Sequence, residues 1–147
     1  MTHGDLAERY FLDGFNCAQA VLLAFSDLTG LEQDTAARLA SSFGGGLGRM
    51  REVCGAVSGA SMVLGLLKGY SDPKDADAKR DHYHLIQEFA RLYRAENGSI
   101  ICRELLNGTA AKPGNEPEAR TQEYYRKRPC PQLVRHAAEI VDDLLKI

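Results

Sequence analysis

The amino-acid sequence predicts an all-α fold, and two observations carry that expectation. Apolar residues recur at three- and four-residue spacing through almost every segment, and the apolar/polar alternation of a half-buried strand is nearly absent. The periodic stretches are also closed by helix stop signals, at Gly14, Gly30, Gly69 and Gly98. The expected architecture is one domain over residues 1–147, a bundle of about six or seven helices around a central small-residue helix.

A first helix is expected over 4–12, with Leu6, Tyr10 and Phe11 on its inner side. Asn16 precedes a second that carries Ala18, Val21, Leu22, Phe25 and Leu28 before Thr29 and Gly30 end it. Asp34 is placed to cap a third over 35–42, which turns Ala36, Leu39, Ala40 and Phe43 inward. The run Gly44-Gly45-Gly46-Leu47-Gly48 marks a loop whose backbone takes positive φ or approaches something closely.

An uncharged helix follows over 53–67, interrupted by too many Gly and Ser residues to span a membrane and read instead as buried. After the Ser71-Asp72-Pro73 turn, a long amphipathic helix over 76–97 lines up Tyr83, Ile86, Phe89, Ala90 and Tyr93. Ser99 is placed to cap a short helix through Leu106, and the Gly- and Pro-rich stretch 107–118 reads as a polar loop or lid. The last helix, over 131–145, directs Leu133, Val134, Ala137, Ile140, Val141 and Leu144 inward.

Composition narrows the function. With 147 residues, 44% of them apolar, the chain can bury one core. A net charge of -2 supplies no field to recruit nucleic acid. The first residues lack the basic and apolar regions of a secretory signal, so a reducing cytoplasm is the expected location. Structural disulfides are opposed there, so the four cysteines are not needed as staples and weight shifts to their chemistry. For any single one of them, burial as a small hydrophobe is the more frequent state.

Cys17, Cys54, Cys102 and Cys130 contain no CxxC pair, so neither a zinc ribbon nor a thioredoxin motif is present. Their positions agree nonetheless. Cys17 follows the capping Asn16, Cys54 lies near the start of the small-residue helix, Cys102 follows Ser99, and Cys130 sits between Pro129 and Pro131 at the cap of the last helix. Each is expected in or beside a first helical turn, where free N–H groups and the macrodipole favour a thiolate. Thiolate is both the nucleophile and the metal ligand. Gly55 and Gly59, widened by Ala56 and Ala60, lay a smooth stripe along one helical face. Tight helix packing is the favoured reading of that stripe, with a flat cofactor as the alternative that makes Gly55 and Gly59 candidate cofactor contacts.

Arg49 and Arg51 flank the glycine run, but the pattern fits neither Walker A nor GxGxxG, and the glycines read as a turn shaping the ground around Cys54. His82 and His84 point to different faces of their helix. His136 is a candidate extra ligand near Cys130, with a satisfied or exposed state favoured. Tyr124-Tyr125-Arg126-Lys127-Arg128 reads as a solvated segment beside Cys130 that could orient an anionic partner.

Phe15-Asn16-Cys17-Ala18-Gln19-Ala20-Val21, the glycine run from Phe43, Cys54-Gly55-Ala56 with Gly59, Gly98 to Leu106 around Cys102, and the late Cys130 together resemble the C_GCAxxG_C_C family, redox-active proteins named for their cysteine pattern. The resemblance implies that the four cysteines are the site, with Gly55 and Gly59 as structural companions.

Two chemistries are expected of such a site: exchange between dithiol and disulfide, or capture of zinc or an iron–sulfur cluster. In the first, Cys54 is the leading attacking thiolate because of Arg51 nearby, Cys17 or Cys102 resolves, and Arg103 favours charge on Cys102. In the second, four sulfurs must gather within about 4 Å of one another. A non-enzymatic helical module, with structural cysteines and a groove along Gly55 and Gly59 for a small molecule or partner helix, is the competing class. The expected partners are a redox protein or a small molecule, and self-association or membership of a larger redox assembly stays open.

Overall fold

The computed structural model describes residues 1–107 and 114–147. Its helices are α1 (His3–Leu12), α2 (Cys17–Ala24), α3 (Ser26–Thr29), α4 (Gln33–Ala40), α5 (Gly55–Lys68), α6 (Ala76–Asn97), α7 (Cys102–Leu105), α8 (Gln122–Lys127) and α9 (Cys130–Leu145), with a 3-10 turn Ser41–Phe43 after α4. The described residues form no strand, only an antiparallel bridge between Val53 and Ile101. None of their helices is long and apolar enough to cross a membrane.

The capping chemistry explains where the site helices begin. Thr2 and Asp5 form a reciprocal capping box on α1, and Asn16 and Gln19 form one on α2, each satisfying two N–H groups that no helical carbonyl can reach. Asp75 accepts from Ala78 N–H at the head of α6, and Gly98, at φ 96, closes it.

The core is centred on α2, whose uncharged sequence is buried from Ala20 through Phe25. It packs against α1, α4, α5 and α9. The expected central helix, α5, buries one face, and its stripe is occupied by α2. A Cβ on Gly59 would stand 2.6 Å from the Ala18 carbonyl oxygen, and one on Gly55 3.1 Å from the Cys17 Cβ. The glycines therefore serve backbone approach between two helices, the favoured reading, and the groove required by a binding module along this face is filled.

Several expectations are corrected. The second helix breaks at Phe25, where φ is -104 and ψ 20, which leaves Leu28 39% exposed on α3. Leu39 and Tyr83 are 51% and 52% exposed, because Ala36 and Ala40, and Phe89 and Tyr93, already fill the inner faces of their helices. On α1 Gly4, Ala7 and Phe11 are fully buried, while Leu6 and Tyr10 pack against the core only partly buried. Glu32 rather than Asp34 occupies the cap position of α4. Ser99 stabilises the approach to α7 by accepting from Ile101 N–H, but Ile101 is the cap residue. Of the proposed lid over 107–118, residues 108–113 lie outside the described residues, and α8 was not anticipated at all.

Candidate functional site

All four cysteines lie at or immediately before the start of a helix: Cys17, Cys102 and Cys130 are first residues of α2, α7 and α9, and Cys54 precedes α5. Tertiary structure brings these starts to one place, where all four line a cavity of about 60 Å³ with Gly55, Arg51 and Arg120. Backbone pairing sets two of them. Cys54 N–H donates to Ile100 carbonyl at 2.7 Å and Cys102 N–H to Glu52 carbonyl at 2.6 Å, so the bridge lays the two cysteines side by side. Close approach sets a third, because Gly55 and Gly59 let α2 deliver Cys17 onto α5. Cys130 enters at the head of α9, where Pro131 is in the first turn and needs no N–H partner.

The glycine run wraps this cavity. Gly45, Gly46 and Gly48 take φ values of 64, 72 and 54, as expected, and Leu47, Arg49 and Arg51 follow at 68, 62 and 63. Left-handed backbone costs a non-glycine residue about 1–2 kcal/mol, so this turn is strained and held by its surroundings. A Cβ on Gly46 would stand 2.7 Å from the Cys102 Cβ, and one on Gly44 2.6 Å from the Asn16 side chain. The turn thus shapes the ground around Cys102 and the cap of Cys17, and Gly45 and Gly46 line the cavity together with Cys54.

Electrostatics separates the four thiols and corrects the expectation that each helix start favours thiolate. Burial pushes the Cys54 thiol up to about 11, although the Tyr93 hydroxyl, 3.5 Å from its Sγ, and the Ala56 N–H oppose the rise. Burial also raises Cys102, against the pull of Arg51, whose Nη1 lies 3.8 Å from its Sγ. Cys17 is raised well above the ordinary thiol range, first because it donates a hydrogen bond to Cys130 and then by burial. Only Cys130 is lowered: the Cys17 hydrogen bond favours its thiolate most, and together with Arg128, Arg120 and Arg51 it exceeds the cost of burial. Cys54 is therefore not the favoured thiolate. Its expected cation, Arg51, faces Cys102 instead, and Arg103 reaches the Glu52 carboxylate and the Arg51 carbonyl rather than Cys102.

The cations are anchored from a second direction. The Glu118 carboxylate accepts from Arg49 Nη2 at 3.2 Å, Arg51 Nη2 at 3.3 Å and Arg128 Nη2 at 2.5 Å. Its partial burial alone would raise its pKa, but the three guanidiniums hold it below the usual carboxylate range. Arg120 donates to the Phe11 and Phe15 carbonyls and lies 4.2 Å above the Phe11 ring. Arg51 and Arg128, each 6% exposed, are the buried charged residues of the described chain.

A sequence profile of the family described as "Putative redox-active protein (C_GCAxxG_C_C)" matches residues 15–144. The chain belongs to this family. No curated protein and no solved structure matches it. The matched span begins just before Cys17 and ends beyond Cys130, so it contains every cysteine of this C_GCAxxG_C_C protein.

Gly55 lines the cavity and Gly59 does not. His136 is held by Asn97 and Glu96, outside the cavity lining. Among the described residues, no three His, Cys, Asp or Glu side chains are grouped to hold a metal ion. All four cysteines are free, with Cys17 the most exposed. The basic segment before Cys130 is not wholly solvated: Arg128 is buried against Glu118 and 4.9 Å from the Tyr124 ring. Arg120, Glu118 and Tyr93 escaped the sequence reading. Arg120 and Glu118 stand in an irregular stretch with no periodicity, and Tyr93 looked like any apolar position of α6.

Proposed function

We propose that this C_GCAxxG_C_C protein is a dithiol–disulfide redox protein whose reactive pair is Cys17 and Cys130. The observation that carries the reading is the cavity in which Cys17 and Cys130 meet Arg51, Arg120 and Arg128, a setting that lowers the Cys130 pKa and raises that of Cys17. A thiolate next to a protonated thiol is the arrangement that exchange needs, one sulfur to attack and one to resolve.

The Cys130 thiolate attacks one sulfur of an acceptor disulfide, whose S–S electron pair leaves with the other sulfur. Cys17 gives its proton to that leaving thiolate and attacks the Cys130 sulfur of the mixed disulfide, releasing the second acceptor sulfur as thiolate. The acceptor disulfide is reduced by two electrons and the chain holds a Cys17–Cys130 disulfide. Cys54 and Cys102, protonated and buried, form the wall of the site. A reducing cytoplasm suits this cycle, since a partner there restores the dithiol.

The test is to oxidise the anaerobically purified, reduced protein with bis(2-hydroxyethyl) disulfide and map the products by peptide mass spectrometry, alongside metal analysis. A Cys17–Cys130 linkage is expected. A Cys54–Cys102 linkage, four unreacted thiols, or stoichiometric metal that blocks all four would overturn the assignment.

A further inference from the structure

Three guanidiniums, those of Arg49, Arg51 and Arg128, converge on the single carboxylate of Glu118. Arg128, Arg51 and Arg49 side chains are 5%, 7% and 19% exposed, whereas Glu118 is 36% exposed. Three guanidiniums that are buried or nearly so thus meet at one carboxylate, which is the most accessible member of the group. Glu118 is carried on irregular chain between residue 114 and α8, and no helix holds it in place. Arg49 Nη1 also donates to the Gly114 carbonyl at 2.7 Å, and the nearby Arg120 is clamped by two carbonyls and an aromatic ring.

Beside this group lies a second cavity, of about 250 Å³, lined by Arg49, Arg51, Arg120, Glu118 and Tyr124. It shares Arg51, Arg120 and Tyr124 with the lining of the cysteine cavity. A molecule seated there with a carboxylate on the guanidiniums would extend toward the thiols along that common wall. Guanidinium matches carboxylate in shape and charge, so the site distinguishes acceptors by their charge.

We infer that this second cavity binds the carboxylate of a small anionic organic disulfide, which takes the place of Glu118 on Arg49 and Arg51 and so presents its sulfurs to Cys17 and Cys130. The inference rests on the dithiol–disulfide reading and adds its substrate class. Glu118 acts as a built-in occupant that keeps the buried cations paired until the acceptor arrives.

The experiment compares rates of Cys17–Cys130 oxidation by dithiodipropionate, bis(2-hydroxyethyl) disulfide and cystamine, which are anionic, neutral and cationic. The anionic disulfide is expected to react fastest, with an advantage that shrinks as salt rises. Arg49→Gln should lower the anionic-to-neutral rate ratio roughly tenfold, the effect of one charge-assisted hydrogen bond, and Glu118→Gln should raise it. Equal rates, or preference for cystamine, would overturn the inference and leave the redox reading standing. If no disulfide reacts, the redox reading falls, and the cavity is then read with suberate, the sulfur-free isostere of dithiodipropionate. Suberate shifting the arginine side-chain NMR signals in wild type but not in Arg49→Gln supports carboxylate binding there, and no shift overturns it.

Discussion

Cys54 and Cys130 occupy equivalent positions, each at the head of a long helix and each almost fully buried, yet their proton affinities move in opposite directions. The Cys54 side of the cavity is walled by α6, with Tyr93 as a neutral partner, and burial wins. The Cys130 side offers the Cys17 hydrogen bond first, and then guanidiniums from the turn before α5 and from the chain around α8, which together exceed the cost of burial. The comparison teaches that a helix start does not by itself make a thiolate here. Desolvation of a sulfur can exceed what one helix end returns, and the decision passes to the groups across the cavity.

The largest expected effect separates the two sides directly. Cys17→Ser and Cys130→Ser should each lower the rate of disulfide reduction by several orders of magnitude, since removing a nucleophile removes the reaction. Cys54→Ser should retain it. Stopped-flow thiol oxidation measures all three, and equal loss in every variant would erase the distinction between the sides.

The protonated state of Cys54 makes the next prediction. A thiol at about 11 in the folded protein, against an ordinary 9.0, contributes stability that is complete below pH 9 and lost as pH rises toward 11, because the unfolded chain ionises first. The loss is about 3 kcal/mol at most. Chemical denaturation at a series of pH values should show this decline in wild type and a shallower one in Cys54→Ala. Parallel declines would mean that Cys54 is not the group responsible.

The smallest of the three effects tests the charged side. Arg128→Gln should slow iodoacetamide labelling of Cys130 near neutral pH, because loss of the guanidinium raises the Cys130 pKa and lowers its thiolate fraction. The difference should close at alkaline pH, where thiolate forms without help. A slowdown that persists at high pH would indicate lost access rather than lost charge.

The amino-acid sequence alone determined the helical class, the bounds of α6, the inner face of α9 and the placement of the cysteines at helix starts, because periodicity and capping are local and need no partner. The CGAxxG pattern likewise announced a close helix approach, and the family resemblance singled out the four cysteines that line one cavity. Local order said nothing of the distribution of charge among four equivalent thiols. Arg51, expected beside Cys54 because it is near in sequence, turns to Cys102 across the bridge, and Glu118 and Arg120 arrive from a stretch without periodicity. Thiol acidity depends on burial and on charges a few ångströms away in space, so only the tertiary structure decided that Cys130 is the thiol whose pKa falls while those of Cys17, Cys54 and Cys102 rise.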